Sequence, residues 1–348
     1  MSISLPGRYH LEGSAMYREM EFSLSGWIEI GGRRLSPEEV FAIVKREPHI
    51  VRNFGGEFLV EWDGCIARDC YGVMPGPCPP GTVRCSDGTE APIVPSPDPA
   101  GLDEAIVRSV ELRCSEGVCA LSGGIDSALI ARIADLPCIS VGFEGSHDLA
   151  QARYAADLMG IACDYVVITE GMVETALREV VKVLQEPNAL HASIAVGQFW
   201  ISSRAKELGY RRILSGQGAD ELFGGYARYL ASSDLPGDLE AGLTCLSKQI
   251  ERDQSVAAFH GAYFSLPYLD TRVVRAASEI PAFEKVTGGV RKRPLRLVAE
   301  RYIPAEIAWK EKKAMQYGTG IWKAMRAIAR HNGYKRSVQP YIDQLAER

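Results

Sequence analysis

Two short stretches of this 348-residue chain hold residues whose types and spacing could do chemistry. The first is LSGGIDS, Leu121 to Ser127; the second is SGQGADELFGG, Ser215 to Gly225. Gly123 and Gly124 let a backbone curl until successive N–H groups point at an anion. Ser122 and Ser127 add hydroxyl donors, and a helix opening directly afterwards adds the partial positive charge of its first turn. No lysine follows the glycines, so this is not the Gly-x-x-x-x-Gly-Lys loop. Asp126 is awkward beside phosphate unless a cation intervenes, and a carboxylate there suits a Mg²⁺ ligand. Ser215, Gly216 and Gly218 repeat the glycine logic, and Asp220 and Glu221 bring further carboxylates. Two such ends, each with an Asp, match a site where two carboxylates hold one Mg²⁺ on a triphosphate. The plain alternative is a Gly-Gly turn with Asp126 as a helix cap, and an ordinary second loop.

The elements around these stretches decide between the readings. DEAIVRSVELR, DSALIARIADL, DLAQARYAADLMG and MVETALREVVKVLQ carry apolar residues at helical spacing. VCALS, CISVGF, DYVVIT and RRILSG are short apolar runs of the kind buried on both faces of a parallel sheet. Their alternation predicts βαβ units, with both glycine-rich stretches at carboxyl ends of strands, where open sheets bind ligands. From about Ala189 the chain reads as mainly helical. Before residue 90 the pattern differs: GWIEI and GEFLVEWDGCIARDCYG read as β-hairpins. APIVPSPDPAG, with four prolines, reads as linker or coil. The expected division is a small β-rich domain over 1–90, a linker over 91–100 and a larger α/β domain over 101–348.

Composition narrows the class. A hydrophobic content of 46% with 24% charged residues fits a globular chain. A net charge of -5 argues against nucleic acid or an acidic membrane as partner. No apolar run approaches the roughly 20 residues of a membrane span, and the N-terminus lacks a signal-peptide pattern, so the expected location is cytoplasmic. Cys65, Cys70, Cys78 and Cys85 cluster, but their spacings match no standard ligand pattern. They read as spare thiols of a reduced compartment rather than as a metal site.

SGGIDS resembles the pyrophosphatase loop of the ATP-pyrophosphatase superfamily. With VGFEGSHDL, LSGQGADELFGGY, LPYLD and PAEIAWKEKKAMQYGTG, it resembles the synthetase domain of asparagine synthetases over roughly residues 100 to 325. The resemblance implies a parallel-sheet α/β fold with a helical C-terminal part. It also implies an activity: a carboxylate, the aspartate side chain in the first instance, is adenylated by ATP with release of pyrophosphate, and ammonia displaces AMP. It places Leu121, Ser122, Gly123, Gly124, Asp126 and Ser127 on the phosphates, and Val141 and Gly216 beside the adenosine. Asp126 and Asp220 would be the Mg²⁺ ligands. Lys312 matches the family's lysine, whose ammonium would stabilise charge gathering during adenylation. Lys310 and Lys313 read as solvated surface. Asp148 is either on the nucleotide side or a helix cap, and Lys292, Arg293 and Arg296 are either phosphate-side or plain surface. Glu186 matches a family Glu-Pro.

The chain also departs from that pattern. Gln217 stands where the family usually has an acid; it is carried as a catalytic candidate with Lys312, although an amide cannot act as a base. Tyr263 and Ser265 replace a Glu-x-Arg, which puts Tyr263 with Glu186 in an altered substrate pocket. GGEFLVEWDGCIARDCYG resembles later hairpins of the family's glutaminase domain, but the start, Met1-Ser2, has no nucleophilic cysteine. The expectation is a glutaminase remnant, with ammonia coming from solution or a separate subunit. An amidoligase of the same fold on another substrate, a non-catalytic nucleotide-binding relative, and a homodimeric state stay open at this level.

Overall fold

A computed structural model describes residues 21–95, 101–310 and 318–347. The chain divides into two compact units, Met1–Pro99 and Ala100–Arg348.

The first unit is built on one antiparallel sheet of six strands. They are β1 (Phe22–Ile30), β2 (Arg33–Arg34), β3 (Gly55–Trp62), β4 (Cys65–Arg68), β5 (Thr82–Cys85) and β6 (Glu90–Pro92), in spatial order β2-β1-β3-β4-β5-β6. Asp63 and Gly64, both at positive φ, close the β3–β4 hairpin in two residues, as the right-handed strand twist prefers. Helix α1 (Pro37–Arg46) starts at a reciprocal cap between Ser36 and Glu39. It sets Val40 and Val44 into a core with Ile28, Phe54, Phe58 and Val60.

Two expectations are corrected here. Cys65 and Cys85 are not spare thiols but form a disulfide, because the β4–β5 register sets them directly opposite each other. Cys70 and Cys78 remain free thiols. The proline-rich stretch is also not all coil: its first residues form β6, where Pro92 sits on an edge strand. An edge tolerates the missing N–H.

The second unit holds a five-stranded parallel sheet. Its strands are β7 (Val118–Ala120), β8 (Cys138–Gly142), β9 (Cys163–Val167), β10 (Arg212–Leu214) and β11 (Tyr263–Ser265), in the order β11-β10-β7-β8-β9. Helices α2 (Leu102–Glu111), α3 (Ile125–Ala134), α4 (His147–Met159), α5 (Glu170–Val183) and α6 (Ala189–Glu207) alternate with or flank the first strands. The fold is thus α/β with a mainly helical later part. β11 is the strand that periodicity misses, since three residues carry no pattern. Its backbone is completed by a side chain: Gln254 donates to Phe264 O (2.6 Å) and accepts from Phe264 N (3.0 Å), standing in for a further strand.

Sheet order has a consequence for function. From β7 the chain steps to β8 and β9 on one side, then returns to β10 and β11 on the other. The reversal lies between β7 and β10, which are hydrogen-bonded neighbours. Both glycine-rich stretches therefore leave adjacent strand ends at the switch point. At the opposite end of the sheet Cys119, Cys138 and Cys163 lie side by side across β7, β8 and β9. Burial pushes the Cys163 thiol up to about 12, and such thiols are inert packing groups. No described helix is long and apolar enough to cross a membrane.

One group in the first unit makes its stability depend on pH. Asp69 is buried and accepts backbone N–H bonds from Tyr71, Val73 and Met74, shaping the turn after β4. Burial outweighs these bonds and raises its carboxyl to about 6. The folded chain therefore keeps this proton after the unfolded chain has released it. The stabilisation is complete below about pH 3 and is lost as pH rises through about 6. Relative to Asp69→Asn, which does not titrate, the wild type should lose about 3 kcal/mol between pH 3 and pH 7. Denaturant unfolding of the two chains at both pH values measures this, and a pH-independent difference would refute it.

Candidate active site

After β7 the loop from Leu121 to Gly124 is shaped by its serines. The Ser122 N–H donates to Ser127 Oγ (3.1 Å), the two serine hydroxyls lie 3.1 Å apart, and Ser127 Oγ donates to Gly124 O (3.2 Å). Gly123 has φ +75, and a Cβ there would run into the backbone of Gln151 and Ala152 on α4. Only glycine meets both conditions. Gly124 is the N-cap residue of α3 and makes no side-chain cap bond. Asp126 is not a helix cap: its carboxylate turns elsewhere.

Its target is Lys292. The Lys292 ammonium lies 2.6 Å from Asp126 Oδ1 and 2.5 Å from Asp220 Oδ1, so one cation bridges the carboxylates of both glycine-rich stretches. Lys292 and Asp126 side chains are about 4–5% exposed and that of Asp220 is 22% exposed, which makes this a shielded cluster open on the Asp220 side. The approach depends on missing side chains. A Cβ on Gly216 would sit 2.8 Å from Asp126 Cβ, and one on Gly225 would overlap Asp220 and Lys292. Lys292 itself holds a left-handed backbone, φ 57 and ψ 31, a conformation that costs a non-glycine residue energy and is concentrated at functional sites. The short hairpin of β12 (Val286–Thr287) and β13 (Val290–Arg291) delivers it, and Arg291 ties that hairpin to Gly225 O at 2.8 Å. Below, the buried Tyr268 hydroxyl donates to Asp126 O at 3.1 Å. Burial holds that phenol far above its usual range.

The other sequence candidates divide. Glu221, next to Asp220, turns away to accept from Tyr226 (2.5 Å) and Gln249 (3.0 Å), and desolvation raises its carboxyl. Val141 is buried in β8. Asp148 is buried and pairs with His147 (3.2 Å), while Ser146 caps α4, so Asp148 is not that cap. A Cβ on Gly318 would collide with the Asp148 carboxylate, which sets Asp148 against the backbone at Gly318. Glu186 is exposed and pairs with Lys248 at 3.3 Å. Tyr263 does not reach the switch point. It opens β11 at the amino end of the sheet, where its hydroxyl accepts from Arg212 at 2.5 Å, because the register aligns it with the first residue of β10. Lys310 is bonded to Gln151 and lies over the Tyr154 ring at 5.2 Å. Lys312 and Lys313 lie outside the described residues.

Sequence reasoning could not separate the bases of RKRPLR; the fold does. Lys292 enters the site and Arg293 stays exposed. Arg296 is buried and donates to Arg291 O, Ala308 O and Lys310 O, clamping the segment that leads toward Lys312.

A family profile described as asparagine synthase matches residues 101–243 and 241–346. The chain belongs to the asparagine synthase family. A Methanocaldococcus jannaschii protein assigned as asparagine synthetase [glutamine-hydrolyzing] 1 is 32% identical over 268 residues, covering 64% of this chain and 50% of that protein. The Mesocricetus auratus asparagine synthetase [glutamine-hydrolyzing] is 31% identical over 251 residues, covering 66% and 43%. For Escherichia coli asparagine synthetase B the figures are 26% over 225 residues, 58% and 41%. The chain thus spans half or less of the length of these asparagine synthase relatives. The NMN synthetase of Francisella tularensis aligns at a TM-score of 0.28 and 12% identity over 68% of this chain and 97% of that one, too slight a likeness to argue from.

Among the described residues no group of three or more His, Cys, Asp or Glu side chains could hold a metal. The cluster still fits a cation carried in by a ligand: two carboxylates already converge on one positive charge, and phosphate oxygens would complete the coordination shell. Removing that charge exposes the fit. Lys292→Met keeps the stem but removes the ammonium that bridges the two carboxylates. It should cost roughly 3–5 kcal/mol of stability, the scale for stripping one partner from a buried ion pair. Millimolar Mg²⁺ should restore part of the lost melting temperature in the variant and add little to the wild type. A variant as stable as wild type, or one indifferent to Mg²⁺, would count against the assignment.

Proposed function

We propose that the second unit is an ATP-dependent amidoligase that adenylates a carboxylate, the aspartate side chain in the first instance, releases pyrophosphate and transfers ammonia to form asparagine and AMP. One observation carries this reading: two glycine-rich strand ends meet at the sheet's switch point with their aspartates on a shared cation. Family membership supports it.

On this reading the backbone N–H groups of Leu121 to Gly124 and the hydroxyls of Ser122 and Ser127 cradle the phosphates, at the first turn of α3. Val141 and Gly216 flank the adenosine. Asp126 and Asp220 hold Mg²⁺, which when bound neutralises phosphate charge. Lys292 then exchanges its carboxylate partners for phosphate oxygens, so the cluster that rests as an ion pair becomes a phosphate clamp. Lys312 supplies the ammonium that stabilises charge on pyrophosphate and the acyl oxygen. The first unit is read as a glutaminase remnant. Ammonia comes from solution or from a separate glutaminase subunit, and the location is the cytoplasm.

Pyrophosphate release from ATP, assayed over a panel of carboxylates with and without ammonium, tests the reaction. Asp126→Asn should weaken Mg·ATP far more than AMP, which lacks the bridged phosphates. Lys312→Met should slow pyrophosphate release by about a hundredfold or more with little change in ATP affinity, the scale for deleting one preorganised electrostatic donor. Lys310→Met and Lys313→Met should stay near the parent rate. The reading fails if no carboxylate stimulates pyrophosphate release, or if Lys312→Met matches those two controls.

A further inference from the structure

Gln217 lies between two glycines that fix its place. The backbone of Gly216 packs on Asp126 and Ser127, and Gly218, at φ +93, packs on Leu269 and Tyr268. The Gln217 side-chain nitrogen is shielded from solvent and has no hydrogen-bond partner. A buried amide N–H left unpaired costs about 1–3 kcal/mol, and such groups in folded chains are normally paired. An acceptor oxygen brought by a ligand would supply the missing partner. The carboxylates of Asp126 and Asp220, by contrast, are bridged by Lys292.

Resting on the amidoligase reading, we propose that Gln217 donates this N–H to the acyl oxygen of the activated carboxylate, the oxygen that gains negative charge as the amine adds. Amide formation joins the amine nitrogen to the acyl carbon and breaks the bond from that carbon to the phosphate oxygen. The electron pair leaves with AMP. The surplus proton goes to water, because an amide side chain cannot take it. A carboxylate in the same place could accept a proton from an ammonium, which an amide cannot do. With Gln217 the amine partner therefore arrives uncharged, as the free base.

The test separates this role from nucleotide binding. Aspartyl-sulfamoyl adenosine, a stable mimic that keeps the acyl oxygen, and AMP are titrated by calorimetry into the full chain, its Gln217→Met variant and its Gln217→Glu variant. Both substitutions keep the side-chain length, and Gln217→Glu also keeps the shape while removing the N–H donor, so one folded variant suffices. The expected result is about tenfold weaker binding of the mimic, the scale of one hydrogen bond, with AMP affinity unchanged. Amide formation should fall about a hundredfold, as when one oxyanion donor is removed. Unchanged binding of the mimic overturns the role of Gln217 while leaving the nucleotide site intact. Equal losses for the mimic and AMP also overturn it, since they mark a structural residue. Failure of the wild type to bind either compound overturns the amidoligase reading and this inference with it.

Discussion

The second unit turns on one ammonium held between two carboxylates. Asp126 and Asp220 each lie within 2.6 Å of Lys292 Nζ, so their oxygens are no more than about 5 Å apart. Two shielded anions at that distance repel strongly in a low-dielectric site. Lys292 is what allows the loops after β7 and β10 to close on each other. The glycines follow from this need: Gly216 and Gly225 lack side chains where Asp126, Asp220 and Lys292 must touch. The left-handed backbone of Lys292 is a further cost carried by the same arrangement. Glycine placement, backbone strain and ion pairing thus share one electrostatic cause.

Much of this architecture is legible in the sequence because it rests on local signals. Strands buried on both faces read as apolar runs, and the helices between them keep a 3.6-residue period. The glycine-rich stretches are visible because a close backbone approach demands a residue type that periodicity does not. What escapes is set by tertiary register. Asp126 and Lys292 are 166 residues apart, and nothing in RKRPLR distinguishes the lysine that enters the site from the arginine that clamps backbone carbonyls. The disulfide between Cys65 and Cys85 is invisible for the same reason: only the pairing of β4 with β5 sets them face to face. β11 is too short to show a pattern, and its recognition depends on Gln254, a helix residue that satisfies its edge.

The departures from the family pattern take on different weights once they are placed. Tyr263 and Ser265 both belong to β11. Tyr263 spends its hydroxyl on Arg212 at the amino end of the sheet, and the buried Ser265 contributes its carbonyl to the Ser215 N–H at 3.0 Å. They set the edge strand and the start of the second loop. Gln217 differs in kind. It sits in the loop whose neighbour touches Asp126, and its nitrogen is buried without a partner. Its replacement of an acid changes the charge and hydrogen-bonding character of that loop. An acid exchanged for an amide leaves the cation cluster of Asp126, Asp220 and Lys292 untouched, and so leaves phosphate chemistry intact. On the proposed reaction, it alters what the site can offer the partner that attacks the activated carboxylate. On the proposed reaction, the nucleotide half rests on Asp126, Asp220 and Lys292, drawn from three separate segments, and the amine half on Gln217.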